Sequence, residues 1–222
     1  MSRDIDRIPQ DIACLETARM PAVLMSLTGY HCEVWQTRGR LVRNGRRVGL
    51  DVIIKCHKEP CLLHEVELLR DDYRRLRARL GDIVPQATFV ATLVDGQPNV
   101  VVLAEVVQPW FNIANPTNEA DAVPLLRRLT GARRQLTTFV HAARAWYAGP
   151  DMRVIDLWGL DNLVLDRARR VRYIDSFRVF FFADMLHLLA HPDPDLKARI
   201  ELSLLRLEYL EHLLAEATPR QR

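Results

Sequence analysis

Five side chains have types and spacings that suit chemistry. Lys55 closes the β-branched run Val48–Lys55, VGLDVIIK. A lysine inside a strand sacrifices β-propensity and hydration unless a negative group meets it; a strand-end lysine that reaches solvent is the plain alternative. Glu65 sits on the next helical segment, about 60° from the centre of its apolar stripe, whereas Glu67 lies about 140° away. Glu65 can therefore flank the packed face and turn toward Lys55, or stay on the surface beside Arg70. Further on, Asp156-Leu-Trp-Gly-Leu-Asp161-Asn162 runs into the apolar triplet Leu-Val-Leu, and Asp175 follows 13 residues after Asn162. Asn162 and Asp175 offer the hard oxygen ligands that Mg²⁺ takes. A polar hairpin with no ligand is the competing reading.

These residues need elements to hold them. Residues 1–21 read as a polar lead-in with a helical turn near Ile12–Ala18, ended by Pro21. Ala22–Leu27, Glu33–Val42 and Val48–Lys55 read as strands, with Asn44-Gly45 as a tight hairpin turn. Leu62, Val66, Leu69, Tyr73, Leu76 and Leu80 recur at helical spacing, and Gly81 is a natural C-cap. A second hairpin joins Phe89–Val94 to Val100–Val107 through Asp95-Gly96. Pro109–Asn118 reads as loop. A stripe from Leu125 through Leu136 to Trp146 predicts one long helix ended by Gly149-Pro150. Leu163–Leu165 and Val171–Ile174 form a short strand pair. Phe177–Leu189 is apolar on nearly every side and reads as buried helix, and Leu196–Ala217 as a final amphipathic helix. The expected organisation is α+β: a lead-in over 1–21, an antiparallel β-rich lobe with one helix over 22–107, and a mostly helical lobe over 108–222.

This order, with those residues at those places, resembles the protein-kinase-like superfamily over roughly residues 22–190. In length and style it is nearer to compact bacterial small-molecule and sugar kinases, and to the kinase-like proteins of the PhoP regulatory network, than to protein kinases. No segment ending in an Ala-Pro-Glu-like motif follows Asp175. The resemblance implies a two-lobed fold and ATP with Mg²⁺ as cofactors. It assigns Lys55 to the α- and β-phosphates and Glu65 to orienting that lysine. It assigns Gly29, the one glycine of residues 26–32, to the phosphate-covering loop. The backbone of Glu105 to Val107 is assigned to the adenine, and Asn162 and Asp175 to the metal. Asp156 lies one residue further from Asn162 than the family spacing, at which Leu157 stands. Either the loop carries an insertion and Asp156 is the base, or the base has been lost.

Other classes fit less well. The basic and acidic residues number 31 and 28, leaving +3, which permits an anionic ligand without demanding nucleic acid. No apolar run approaches the roughly 20 residues of a membrane span, and Met1–Gln10 lacks the pattern of a secretory signal. A cytoplasmic location and four unpaired cysteines are expected. Cys56, His57, Cys61 and His64 are too loosely spaced for a zinc site. The arginines flanking Asn44-Gly45 read as a solvated hairpin tip.

The function expected first is ATP- and Mg²⁺-dependent phosphoryl transfer to a hydroxyl of a small molecule or sugar. The alternatives are a kinase-shaped module that binds a nucleotide or a protein partner without turnover, and a nucleic-acid-binding or structural protein that shares only the order of elements.

Overall fold

The computed structural model describes residues 7–26, 31–43, 46–188 and 193–218. The chain is α+β and divides into two compact units. The first comprises residues up to Asp71 together with Pro85–Val106, and the second Asp72–Val84 together with the chain from Val107 on. Gly29 and the Asn44-Gly45 turn fall outside the described residues.

The first unit is an antiparallel sheet of β1 (Ala22–Ser26), β2 (Cys32–Arg43), β3 (Arg46–His57), β4 (Ala87–Val94) and β5 (Gln97–Glu105), ordered β1-β2-β3-β5-β4. In the β2–β3 register Arg43 stands opposite Arg46. Asp95 and Gly96 both have positive φ, 50° and 77°, the backbone of a primed hairpin turn between β4 and β5. Side chains alternate along β3: Ile54 and Cys56 join Trp35 and Val101 in the core, so Lys55 projects from the opposite face.

The lead-in is more than a tail. Ile8 and Ile12 are buried in that same core. Ile12 bridges Val94, Ala13 N–H donates to Leu93 O at 3.0 Å, and Asp95 N–H donates to Asp11 O at 2.8 Å. The expected helical turn is a short 3-10 turn at Thr17–Arg19.

Helix α1 (Leu63–Leu80) begins in the first unit and ends in the second. Val66, Tyr73, Leu76 and Leu80 are buried as the stripe predicts, while Leu62 is 55 % exposed. Gly81 ends the helix in the left-handed region at φ 56°, a conformation that costs other residues about 1 kcal/mol or more.

In the second unit, the stripe expected to be one helix is two: α2 (Glu119–Arg128) and α3 (Thr130–Tyr147). Leu129 leaves the helical region with ψ 75°. The next two residues are Thr130 and Gly131, which have low helix propensity and do not oppose the break. Pro109–Asn118 is not all loop, because β6 (Pro109–Asn112) pairs with β8 (Leu163–Asp166), which pairs with β9 (Val171–Tyr173). Phe177–Leu189 is not one helix either. β10 (Phe180–Phe182) pairs with β7 (Arg153–Ile155), and among the described residues of this stretch only α4 (Met185–Leu188) is helical. Consecutive aromatics favour a strand, and a short apolar run has no period that separates strand from helix. Helix α5 (Pro194–Ala217) starts at an Asp193 cap whose carboxylate accepts from Asp195 N–H at 3.0 Å. Arg144 of α3 holds Glu211 of α5 through two 2.6 Å hydrogen bonds. No helix among the described residues is long and apolar enough to cross a membrane.

Candidate functional site

Asp156, Asn162 and Asp175 come together in the second unit, each placed by a strand end. Asp156 follows β7, and its N–H donates to Val179 O at 2.9 Å. Asn162 immediately precedes β8, and Asp175 lies two residues beyond β9. Because β8 and β9 pair with Leu163 opposite Tyr173, the segments before and after the hairpin leave on the same side. Ile174 N–H donates to Asn162 O at 2.8 Å and extends the pairing by one bond.

Side chains then tie the three residues into one cluster. The Asn162 amide donates to Asp156 O at 3.2 Å and to Asp175 Oδ2 at 3.4 Å. The fully buried Tyr173 donates its hydroxyl to Asp156 O at 2.9 Å. The Asp175 carboxylate accepts through Oδ1 from Ser176 N–H at 2.6 Å and Phe177 N–H at 3.4 Å, which leaves Oδ2 turned to Asn162. Tyr73, from the second half of α1, is hydrogen-bonded to Ser176. Gly159 lets the loop close on Asn162, since a Cβ there would lie 2.5 Å from Asn162 Oδ1.

Asp156 is 6 % exposed. Its Oδ1 accepts from Trp158 N–H at 2.7 Å. Burial, and then the Asp175 carboxylate, push its pKa up to about 7; the Trp158 N–H, Arg199 and Arg206 oppose the rise. A carboxyl poised near neutral pH, beside a second carboxylate, is suited to proton transfer and to sharing a cation.

The donor set fits a hard divalent cation. Asp175 Oδ2 would offer a carboxylate oxygen, and rotation of the Asn162 amide about its last bond would exchange its N–H for Oδ1. Among the described residues no group of three or more His, Cys, Asp or Glu side chains is arranged to hold a metal.

Sequence reasoning expected the helix α5 but missed its part in the site. Arg206 donates through Nη1 to Leu157 O and Trp158 O, Leu157 N–H donates to the buried Ser203 Oγ at 3.2 Å, and the Arg199 guanidinium carbon lies 5.0 Å from the Trp158 ring centroid. The three follow at i, i+4 and i+7, one helix face. Polar residues recurring at helical spacing along this amphipathic helix were the available signal. Asp161, the other acid of the loop, accepts from Asn112 Nδ2 at 3.0 Å, tying the loop to β6.

The remaining candidates lie in or beside the sheet unit. Lys55 is 8 % exposed, between Val34 and Val102 in register. Glu65 is exposed in the first turn of α1 and accepts from Leu62 N–H at 2.7 Å, a capping interaction with its own helix. Glu105 ends β5 and accepts from Gln86 N–H at 3.2 Å. Val107, half-buried, opens the second unit's share of the chain after β5. No protein-family model matches the chain, and no curated protein matches it.

Proposed function

We propose that this protein transfers a phosphoryl group from ATP to a hydroxyl of a small-molecule acceptor, with Mg²⁺ as its metal. The observation that carries the reading is the cluster itself: a buried carboxyl with its pKa near 7, on a residue whose backbone carbonyl accepts from the same Asn162 amide that donates to Asp175 Oδ2. Asp156 takes the proton of the acceptor hydroxyl. As the acceptor oxygen bonds to the γ-phosphorus, the bond from phosphorus to the β–γ bridging oxygen breaks and ADP leaves with that electron pair. Asp156 is left protonated and returns its proton to solvent. Asn162 and Asp175 are the residues to hold Mg²⁺, which supplies charge neutralisation on the phosphates when bound. Trp158 N–H and the Asn162 and Tyr173 bonds to Asp156 O fix the direction in which the base points. The family resemblance adds Lys55 as the phosphate-binding cation.

A thermal-shift titration with ATP, with and without Mg²⁺, tests the reading, because a ligand that binds only the folded state raises the melting temperature. A Mg²⁺-dependent rise that is lost in Asp175→Asn and weakened in Lys55→Ala is expected. No rise at millimolar ATP would sink the proposal. The second reading, a kinase-shaped module without turnover, draws on Glu65, whose carboxylate serves its own helix N-terminus. ATP binding with no phosphoryl transfer to any hydroxyl acceptor, and a biological function that survives Asp156→Ala, would favour it.

A further inference from the structure

A second concave site lies in the second unit, apart from the Asp156 cluster. A cavity of about 560 Å³ is lined by the end of α1, the 3-10 turn Gly81–Ile83, the first turns of α3 and the turn between β8 and β9. Small-molecule pockets measure roughly 300–1,000 Å³. The β8–β9 turn is the far end of the hairpin from Asn162 and Asp175. Strand residues advance roughly 3.3 Å each, so about 10 Å of strand separates the cavity from the cluster. Leu80, Ile83 and Ala132, all buried, give the cavity an apolar wall.

The rest of the wall carries Arg134, Arg169 and Arg170 against one carboxylate, Asp82. Arg170 is already neutralised by the buried Asp166, which it meets through Nε at 3.1 Å and Nη2 at 3.0 Å. Arg134 and Arg169 are different: among the described residues, neither guanidinium has a hydrogen-bonding or ion-pair partner. Arg169 has φ 63°, a conformation that glycine or asparagine fills more readily, and its guanidinium carbon lies 3.2 Å from the Trp110 ring centroid. Gln135 adds a donor. Its Oε1 accepts from Val171 N–H at 3.0 Å, which leaves Nε2 as the end of the amide available to a ligand. Two guanidinium groups and an amide suit the three oxygens and the charge of a phosphate monoester better than a single carboxylate.

We propose that this cavity is a second binding site, and that its ligand is a small organic phosphate: a phosphate monoester on an apolar body. The phosphate meets Arg134, Arg169 and the Gln135 amide, and the apolar body lies against Leu80, Ile83 and Ala132. The site needs neither ATP nor Asp156.

Amide chemical-shift mapping of the full chain, without nucleotide or Mg²⁺, tests the site with phenyl phosphate, inorganic phosphate, benzoate and benzylamine as probes. Phenyl phosphate is expected to move the amides of Gly131, Ala132 and Ala168. Inorganic phosphate and benzoate should act on the same amides more weakly, and benzylamine most weakly. Arg134→Gln and Arg169→Gln should each weaken phenyl phosphate about tenfold, the effect of losing one charge-assisted hydrogen bond. Asp82→Asn should tighten it, because a like charge leaves the wall. Gly131→Leu blocks the site from a folded chain: a Cβ there meets no atom within 4 Å, and leucine is the better helix former. That variant should lose the ligand without losing melting temperature. Equal affinities in wild type and in variants of unchanged melting temperature would overturn the proposal. So would shifts confined to residues 156–162 and 174–177, a preference for benzoate or benzylamine, or no shift at millimolar phenyl phosphate. The Mg²⁺-dependent ATP shift should survive Arg134→Gln; its loss there would merge the two sites and overturn the proposal.

Discussion

Asp156 stands in the fold at an electrostatic cost. Its pKa is raised from the ordinary carboxylate range to about 7, first by burial and then by Asp175. The folded chain therefore binds more protons than the unfolded chain between those values, and stability falls as pH rises through that window. Asp156→Asn, which keeps the shape without the charge, should raise the melting temperature at pH 8 by the equivalent of up to a few kcal/mol. The gain should shrink as the pH is lowered toward 5, where wild-type Asp156 is protonated, and calorimetric melting across that range reads it. The same substitution should abolish transfer. Gly159 makes the opposite case. A Cβ 2.5 Å from Asn162 Oδ1 must displace that amide, so Gly159→Ala should cost about 1–3 kcal/mol, the range for overpacking. It should also weaken the Mg²⁺-dependent part of the ATP shift, and an unchanged shift would show that Asn162 is not a ligand.

At the scale of elements, α5 is the frame of the loop. Arg206 spans the Leu157 and Trp158 carbonyls, and its charge also lowers the Asp156 pKa. Arg206→Gln should loosen residues 156–160, seen as faster amide exchange, and should move the acid limb of the pH–rate profile upward. A merely structural role would lower the rate without moving that limb. Much of the site was legible in sequence, because Asn162, its short strand, the turn and Asp175 are neighbours along the chain and one hairpin brings them together. The α5 contribution was not, because 3.6-residue periodicity reports which face is apolar and says nothing of which distant carbonyls a polar side chain will reach. The break at Leu129 and the strand at Phe180–Phe182 escaped for a related reason: a stripe continues across a kink, and a short aromatic run has no period of its own.

At the scale of the whole molecule, two compact units share one chain, and the lead-in belongs to the core of the first. Ile12 has no exposed surface, so Ile12→Ala should cost about 2–5 kcal/mol, the range for truncating a buried isoleucine. The loss should appear in amide exchange of β4 and β5, whose turn the lead-in binds. Residues 1–21 read in sequence as a polar lead-in with one helical turn, because isolated isoleucines among charged neighbours are too few to show a period. The antiparallel sheet was clearer, since turn residues and β-branched runs alternated there.

The Arg206 clamp has a consequence in the order of synthesis. A ribosome completes the loop that carries Asp156 well before it makes the residue that holds that loop: Arg206 lies 49 residues beyond Leu157. The β7–loop–β8 segment must therefore wait without its Arg206 brace while α4 and the first half of α5 are translated. A message cut short before codon 206 would yield every proposed catalytic side chain and none of the guanidinium that keeps their loop in place.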